Sequence, residues 1–172
     1  MGGASEGSRR LLASIAEARA LYATSVWAEM ALTTKVNRDI LLAAQRIVAI
    51  RVARAYRTVL TEALLVLAKM VPWDLLAIEG PERRQRDDST DNIRAREDTM
   101  NKWQQQWENP RTYRGGESPG SWTRHLIPDV RKWIRGSQGE LTSYPCQVLS
   151  GHGQFQTYMT KIGKTQVGIC VL

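Results

Sequence analysis

The stretch Ile40-Leu41-Leu42-Ala43-Ala44-Gln45-Arg46-Ile47-Val48-Ala49-Ile50-Arg51-Val52-Ala53-Arg54-Ala55-Tyr56 decides the fold class. Ile40, Leu41, Ala44, Ile47, Val48, Val52 and Tyr56 recur every three or four positions, which gathers them on one face of a helix; a strand would alternate. Thr33 and Thr34 offer caps, and Asp39 is placed early, where the helix dipole favours an acid. The other face carries Arg46, Arg54 and Arg57, with Arg38 and Arg51 near its edges. The expected helix is oily on one side and cationic on the other.

Upstream, Leu12, Ile15, Ala18, Tyr22 and Val26 repeat at the same spacing, predicting one amphipathic helix from Arg9 to about Leu32. Downstream, Thr58 or Thr61 starts a third helix through Ala63, Leu64, Leu67 and Ala68. Pro72 ends it and suits the first turn of a fourth helix, whose Trp73, Leu75, Leu76 and Ile78 are expected to close a core before Gly80 and Pro81 break the chain. Residues 82–108 are polar, with Ile93, Met100, Trp103 and Trp107 as a thin apolar stripe, and read as a long solvated helix. Gly115, Gly116, Pro119 and Gly120 mark a loop. Beyond it, Trp122, Leu126, Ile127, Trp133 and Ile134 form a small cluster. Leu141, Tyr144, Val148, Leu149, Phe155, Tyr158, Met159 and Ile162 then suggest two short helices interrupted by Pro145, Gly151 and Gly153. The expected architecture is mainly α: a bundle-like helical part over 1–80, a charged linking helix over 81–108, a flexible loop over 109–121 and a smaller irregular helical part over 122–172.

With 172 residues, of which 42% are hydrophobic, the chain can bury one ordinary core or two small ones. It has no apolar run of transmembrane length, no signal-peptide core, and only two cysteines, Cys146 and Cys170. A soluble, intracellular protein without a membrane partner is the expectation. The net charge of +7 is unevenly spread: ten Lys/Arg stand against five Asp/Glu in residues 1–72, six against nine in 73–108, and eight against three in 109–172. Two basic blocks flank an acidic middle. Such blocks attract phosphates, but also acidic proteins, or simply keep a surface solvated.

Catalytic chemistry is sought without success. The adjacent carboxylates Asp87 and Asp88 lie in a polar stretch with no strand signal, so they read as a solvated helix face and not as a two-metal site. The glycines of 113–121 lack the Lys and Ser/Thr order of a phosphate-binding loop. His125 reads as a surface or capping residue, His152 as part of a Gly-flanked turn, and Cys146 as a small buried apolar group. Six tryptophans raise the idea of base stacking. Trp27, Trp73, Trp103 and Trp107 read as core, which leaves Trp122 and Trp133, among Arg124, Arg131, Lys132 and Arg135, as candidates for touching nucleic acid.

The run from Ala28 to Ala77, above all Gln45 to Val59, resembles the segment that follows the polymerase core in non-LTR retrotransposons, with the nearest likeness to type-1 elements that insert into ribosomal RNA genes. Trp103 to Trp107, then Trp122-Thr123-Arg124-His125-Leu126-Ile127-Pro128-Asp129-Val130, then Ser150 to Gly153 and on through Phe155 and Tyr158 to Lys164, are similar to the same proteins in the same order. Pro145 and the acidic stretch Arg86 to Asn92 depart from that pattern.

The resemblance implies a parent polyprotein, acting in the nucleus, with RNA-directed DNA polymerase and endonuclease activities that use Mg2+ and Zn2+, and with template RNA, target ribosomal DNA and an upstream polymerase domain as partners. It transfers no catalytic residue and no cofactor to this chain, which is expected to be inactive alone. Cys170 resembles the first ligand of a zinc knuckle whose remaining ligands are not in this sequence. The leading expectation is an accessory region contacting nucleic acid through Arg46, Arg54, Arg57, Arg124, Arg131, Lys132 and Arg135. The alternative is a purely structural helical linker that contacts other protein parts.

Overall fold

A computed structural model describes residues 4–84, 89–109, 120–136, 141–152, 159, 160 and 163. Among these the fold is mainly α, with nine helices and no strand: α1 (Glu6–Ala20), α2 (Thr24–Ala31), α3 (Lys35–Ala53), α4 (Thr61–Leu67), α5 (Trp73–Arg84), α6 (Ser89–Glu108), α7 (Ser121–Leu126), α8 (Val130–Arg135) and α9 (Ser143–Ser150).

α4 is the centre. Ala63, Leu64, Leu65, Val66 and Leu67 are all buried, so this short helix has no solvent side, and α3, α8 and α9 pack around it. A helix apolar all round is stable only inside a core. It ends at Ala68, ahead of Pro72, because Lys69 adopts a left-handed backbone (φ 53°) that turns the chain.

The single helix expected over Arg9 to Leu32 is two. Ala23 takes a left-handed conformation (φ 54°), and the Trp27 indole donates to the Tyr22 carbonyl at 2.8 Å across the bend. The break frees α2 to leave α1 and pack on α5, where Ala28 and Leu32 meet Ala77. Periodicity cannot register one residue in an unusual backbone state, since Ala is a good helix former.

α3 starts where expected: the Thr34 hydroxyl caps it by accepting from Asn37 N, and Lys35 pairs with Asp39 one turn on. Its buried face is rotated from the expected one. Gln45, Ala49, Val52 and Ala53 point inward, whereas Ile40, Ala44 and Ile47 face solvent and Tyr56 lies beyond the helix end at Arg54 (φ 52°). Small residues let α3 approach α4 and α5 closely.

α5 runs through Gly80 and Pro81, the expected breakers. Gly80 lies where a Cβ would come within 3.1 Å of Thr24 Oγ1, so it permits the close α2–α5 crossing. Pro81 forfeits one backbone hydrogen bond, at a cost of about 3 kcal/mol in an isolated helix, and the packing of α5 on α2, α3 and α6 holds the helix together. Ile78, expected in the core, is exposed.

α6 packs on α5 and α8, burying Ala95, Thr99, Trp103 and Trp107, while Ile93 of the expected stripe faces solvent. In α9, Pro145 occupies the first turn, where a missing N–H costs little, so it does not interrupt the helix. Gly151 ends α9 in a left-handed conformation (φ 67°), 3.0 Å from Trp122 Cδ1 for an added Cβ. The loop glycines through Pro119, together with Gly153, Phe155, Tyr158 and Ile162, lie outside the described residues, as do Asp87, Asp88 and Cys170.

Candidate nucleic-acid interface

The seven cations singled out from sequence fall into two groups. Arg46, Arg54 and Arg57 belong to α3 and the turn after it; Arg124, Arg131, Lys132 and Arg135 belong to α7 and α8. They do not form one stripe. Arg46 is half-buried and donates to Thr61 Oγ1 at 2.8 Å and to the Arg57 carbonyl, fastening the α3–α4 turn. Arg54 donates to the Ala4 carbonyl at 3.0 Å. Arg57 is exposed.

In the second group Arg124 is mostly enclosed, stacked over the Trp107 ring at 5.1 Å from its centre, with Glu62 Oε2 3.6 Å away. Arg131 is half-buried, and its Nη2 is enclosed without a hydrogen-bond acceptor among the described residues. Lys132 is exposed and stands 3.6 Å from Asp129. The Asp129 carboxylate caps α8 by accepting from Lys132 N at 3.0 Å, and that hydrogen bond, with the charge of Lys132, holds its pKa below the ordinary value. Arg135 is exposed at the edge of a cleft.

This open cleft, of about 820 Å3, lies between α1, α5 and α6. Ala13, Val52, Met70, Val71 and Leu76 give it an apolar floor, and its walls carry Arg10, Lys69, Arg83, Arg96 and Arg135 against Glu17, Glu79 and Glu97. Several of these charges are already engaged. Buried Glu79 accepts from Arg96 at 3.0 Å and has Arg83 at 3.6 Å; Glu17 accepts from the Trp73 indole; Arg10 holds Glu6 at 2.6 Å and the Ala68 carbonyl at 3.1 Å. Lys69 donates to the Gly136 carbonyl at 2.7 Å and stands 5.7 Å over the Trp133 ring. Burial, and then the neighbouring Arg10 charge, push the Lys69 pKa below its ordinary value. Asn92 Oδ1, enclosed in the cleft wall, accepts no hydrogen bond from a described residue. The sequence reading passed over Arg10, Lys69, Arg83 and Arg96 because they lie on four different segments.

The tryptophans act as fasteners. Trp107 donates to the Ile127 carbonyl, Trp122 to Val148 and Trp133 to Val66, each at 2.8 Å. Trp122 keeps half of its surface exposed; Trp133 is half-buried beneath Lys69. Two glutamines do similar work. Fully buried Gln45 donates to the Val71 carbonyl at 2.8 Å and accepts from Trp73 N at 2.9 Å, while Gln104 donates to the Pro128 carbonyl and accepts from Val130 N, both at 2.8 Å. Neither has a sequence signal, because only the fold brings them to backbone groups that lack helical partners.

Cys146 is buried, and burial pushes its thiol up to about 11, so it stays protonated at neutral pH. His125 is exposed, and His152 Nδ1 is 2.8 Å from the Ser150 carbonyl. Among the described residues no three His, Cys, Asp or Glu side chains are grouped to hold a metal ion, and no helix is long and apolar enough to cross a membrane. No protein family, curated protein or solved structure matches the chain.

Proposed function

We propose that this chain is an accessory region of a retrotransposon polyprotein, without catalytic residues of its own, that holds template RNA or target ribosomal DNA by their phosphates. The parent would be a nuclear reverse transcriptase with endonuclease activity, and its Mg2+ and Zn2+ would serve parts of the polyprotein outside this chain. The sequence resemblance supports the origin. The observation that carries the nucleic-acid contact is the surplus of cations on the α1–α5–α6 cleft, with exposed Arg135 at its edge and Lys132 three residues before it on α8.

Phosphate contacts release counterions, so affinity should fall with salt at a log–log slope of about −0.9 for each phosphate neutralised on duplex DNA. The test is fluorescence anisotropy of the chain with single-stranded RNA and with duplex DNA across a salt range. A Lys132→Ala/Arg135→Ala variant should bind more weakly and reduce the slope by about 1 to 2. Absence of binding by folded protein, or an unchanged slope in the variant, would overturn the reading.

A structural linker that contacts only protein is the second reading. It is favoured by the engagement of Arg46, Arg54 and Arg124 in fastening the fold. On that reading Arg46→Ala lowers stability without changing any salt slope.

A further inference from the structure

The lining of the α1–α5–α6 cleft is chemically divided. In one part three cations come together. Arg10 donates to the Ala68 carbonyl at 3.1 Å, the next residue in the chain is Lys69, and the Lys69 ammonium donates at 2.7 Å to the Gly136 carbonyl, directly after Arg135. All three side chains line the cleft. The carboxylate beside them is Glu6, which already accepts from Arg10 at 2.6 Å and from the Leu141 amide at 3.1 Å. Arg135 is exposed and forms no ion pair with a described residue. Burial, and then the Arg10 charge, hold the Lys69 pKa below its ordinary value, and an anion placed here would offset positive charge that the fold leaves in place.

The rest of the cleft is apolar below and rich in acceptors along its sides. Its floor is Ala13, Val52, Met70, Val71 and Leu76. Ser14 stands one turn beyond Arg10 on α1, and Glu17 two turns beyond, about 10 Å along the helix axis. Glu17 accepts from the Trp73 indole through Oε2, which leaves Oε1 without a donor among the described residues, and exposed Glu97 on α6 has no ion pair among them. Arg83 and Arg96, the cations of this part, lie against buried Glu79. The cleft volume of about 820 Å3 falls in the range of about 300–1,000 Å3 usual for small-ligand sites, which combine an apolar lining with a few polar groups.

We propose that this cleft takes one unpaired nucleotide of the bound strand, with its phosphate at Arg10, Lys69 and Arg135, its base on the apolar floor, and the amino edge of the base toward Glu17 and Glu97. The proposal rests on the nucleic-acid reading above and narrows it to an unpaired strand. A duplex keeps its bases paired and stacked, and so offers the cleft only phosphates. An unstacked nucleotide brings an apolar face and hydrogen-bond donors together with the anion. A fatty-acid anion would match the cations and the floor, but it would set hydrocarbon against the free carboxylates, which a polar lining disfavours.

The test is isothermal titration calorimetry of the full chain with AMP, ribose phosphate, adenosine and decanoate. AMP should bind about tenfold more tightly or better than ribose phosphate, which lacks the base, and than adenosine, which lacks the phosphate. Lys69→Met should weaken AMP binding by about tenfold. Ser14→Trp sets a large ring at the cleft wall from an exposed position on α1, so it keeps the proposal testable if Lys69→Met does not fold. It should remove the advantage of AMP over ribose phosphate while leaving the circular dichroism and the duplex DNA salt slope as they were.

Equal binding of AMP and ribose phosphate, tighter binding of decanoate than of AMP, or a Ser14→Trp variant that binds AMP as the unaltered chain does would overturn the nucleotide pocket. If the duplex DNA slope still falls in Lys132→Ala/Arg135→Ala, those results leave the nucleic-acid reading standing. If that slope does not change, both fall.

Discussion

α4 and α1 carry comparable aliphatic side chains and meet opposite fates. Leu64 to Leu67 are enclosed on every side, whereas Leu11, Leu12 and Ile15 lie mostly in water and α1 enters the core through Ala13. Apolar content alone therefore does not decide which helix becomes the centre. α4 is short and enclosed by α3, α8 and α9; α1 packs on α3 and contributes one side only.

The contrast can be broken most sharply in the core. Leu64→Ala should cost about 2–5 kcal/mol in denaturant unfolding, whereas Ile15→Ala should change stability by no more than about 0.5 kcal/mol, as for other exposed positions. Equal costs would mean that α1's outer face is covered in the folded chain. Gln45→Ala should cost about 2–4 kcal/mol, because it strands both the Val71 carbonyl and the Trp73 amide without partners; thermal and chemical melts read this directly.

Gly151→Ala should cost about 1–2 kcal/mol, combining a left-handed backbone with pressure on Trp122, and should shift the tryptophan emission. The smallest effect is acid loss of stability. Asp129 is held below its ordinary pKa by the Lys132 amide, and Glu6 by Arg10, whose hydrogen bond and charge together with the Leu141 amide and Arg9 outweigh the opposing effect of burial. Lowered folded-state values stabilise above the unfolded carboxylate pKa of about 4 and lose that contribution as pH falls below it. Melting temperature should therefore be flat from about pH 7 to 5 and decline below about 4, with a shallower decline in Asp129→Asn.

Much of the fold was legible in the chain. The helical period of Ile40 to Val52, the Thr34 cap and the apolar run of Ala63 to Leu67 each specify their element by local chemistry. The breakers were less readable. Ala23 ahead of α2, Arg54 after α3 and Lys69 after α4 take left-handed states that none of these side chains advertises, while Gly80 and Pro81, the two loudest signals of a break, sit inside α5 because neighbouring helices hold it. Of the seven candidate cations, Arg57, Lys132 and Arg135 are exposed. Arg46, Arg54 and Arg124 were drawn into hydrogen bonds, ring stacking and an ion pair by groups distant in sequence.

The sequence by itself determined that this protein is helical, basic at both ends, and built around Ala- and Leu-rich segments, because period, propensity and charge are properties of neighbouring residues. Only the tertiary structure decided which side of each helix is inside. An apolar stripe supplies the same driving force whichever neighbour covers it, and α1 and α3 turn Arg9, Ala13, Gln45, Ala49, Val52 and Ala53 inward, leaving Leu11, Ile15, Ile40 and Ile47 outside.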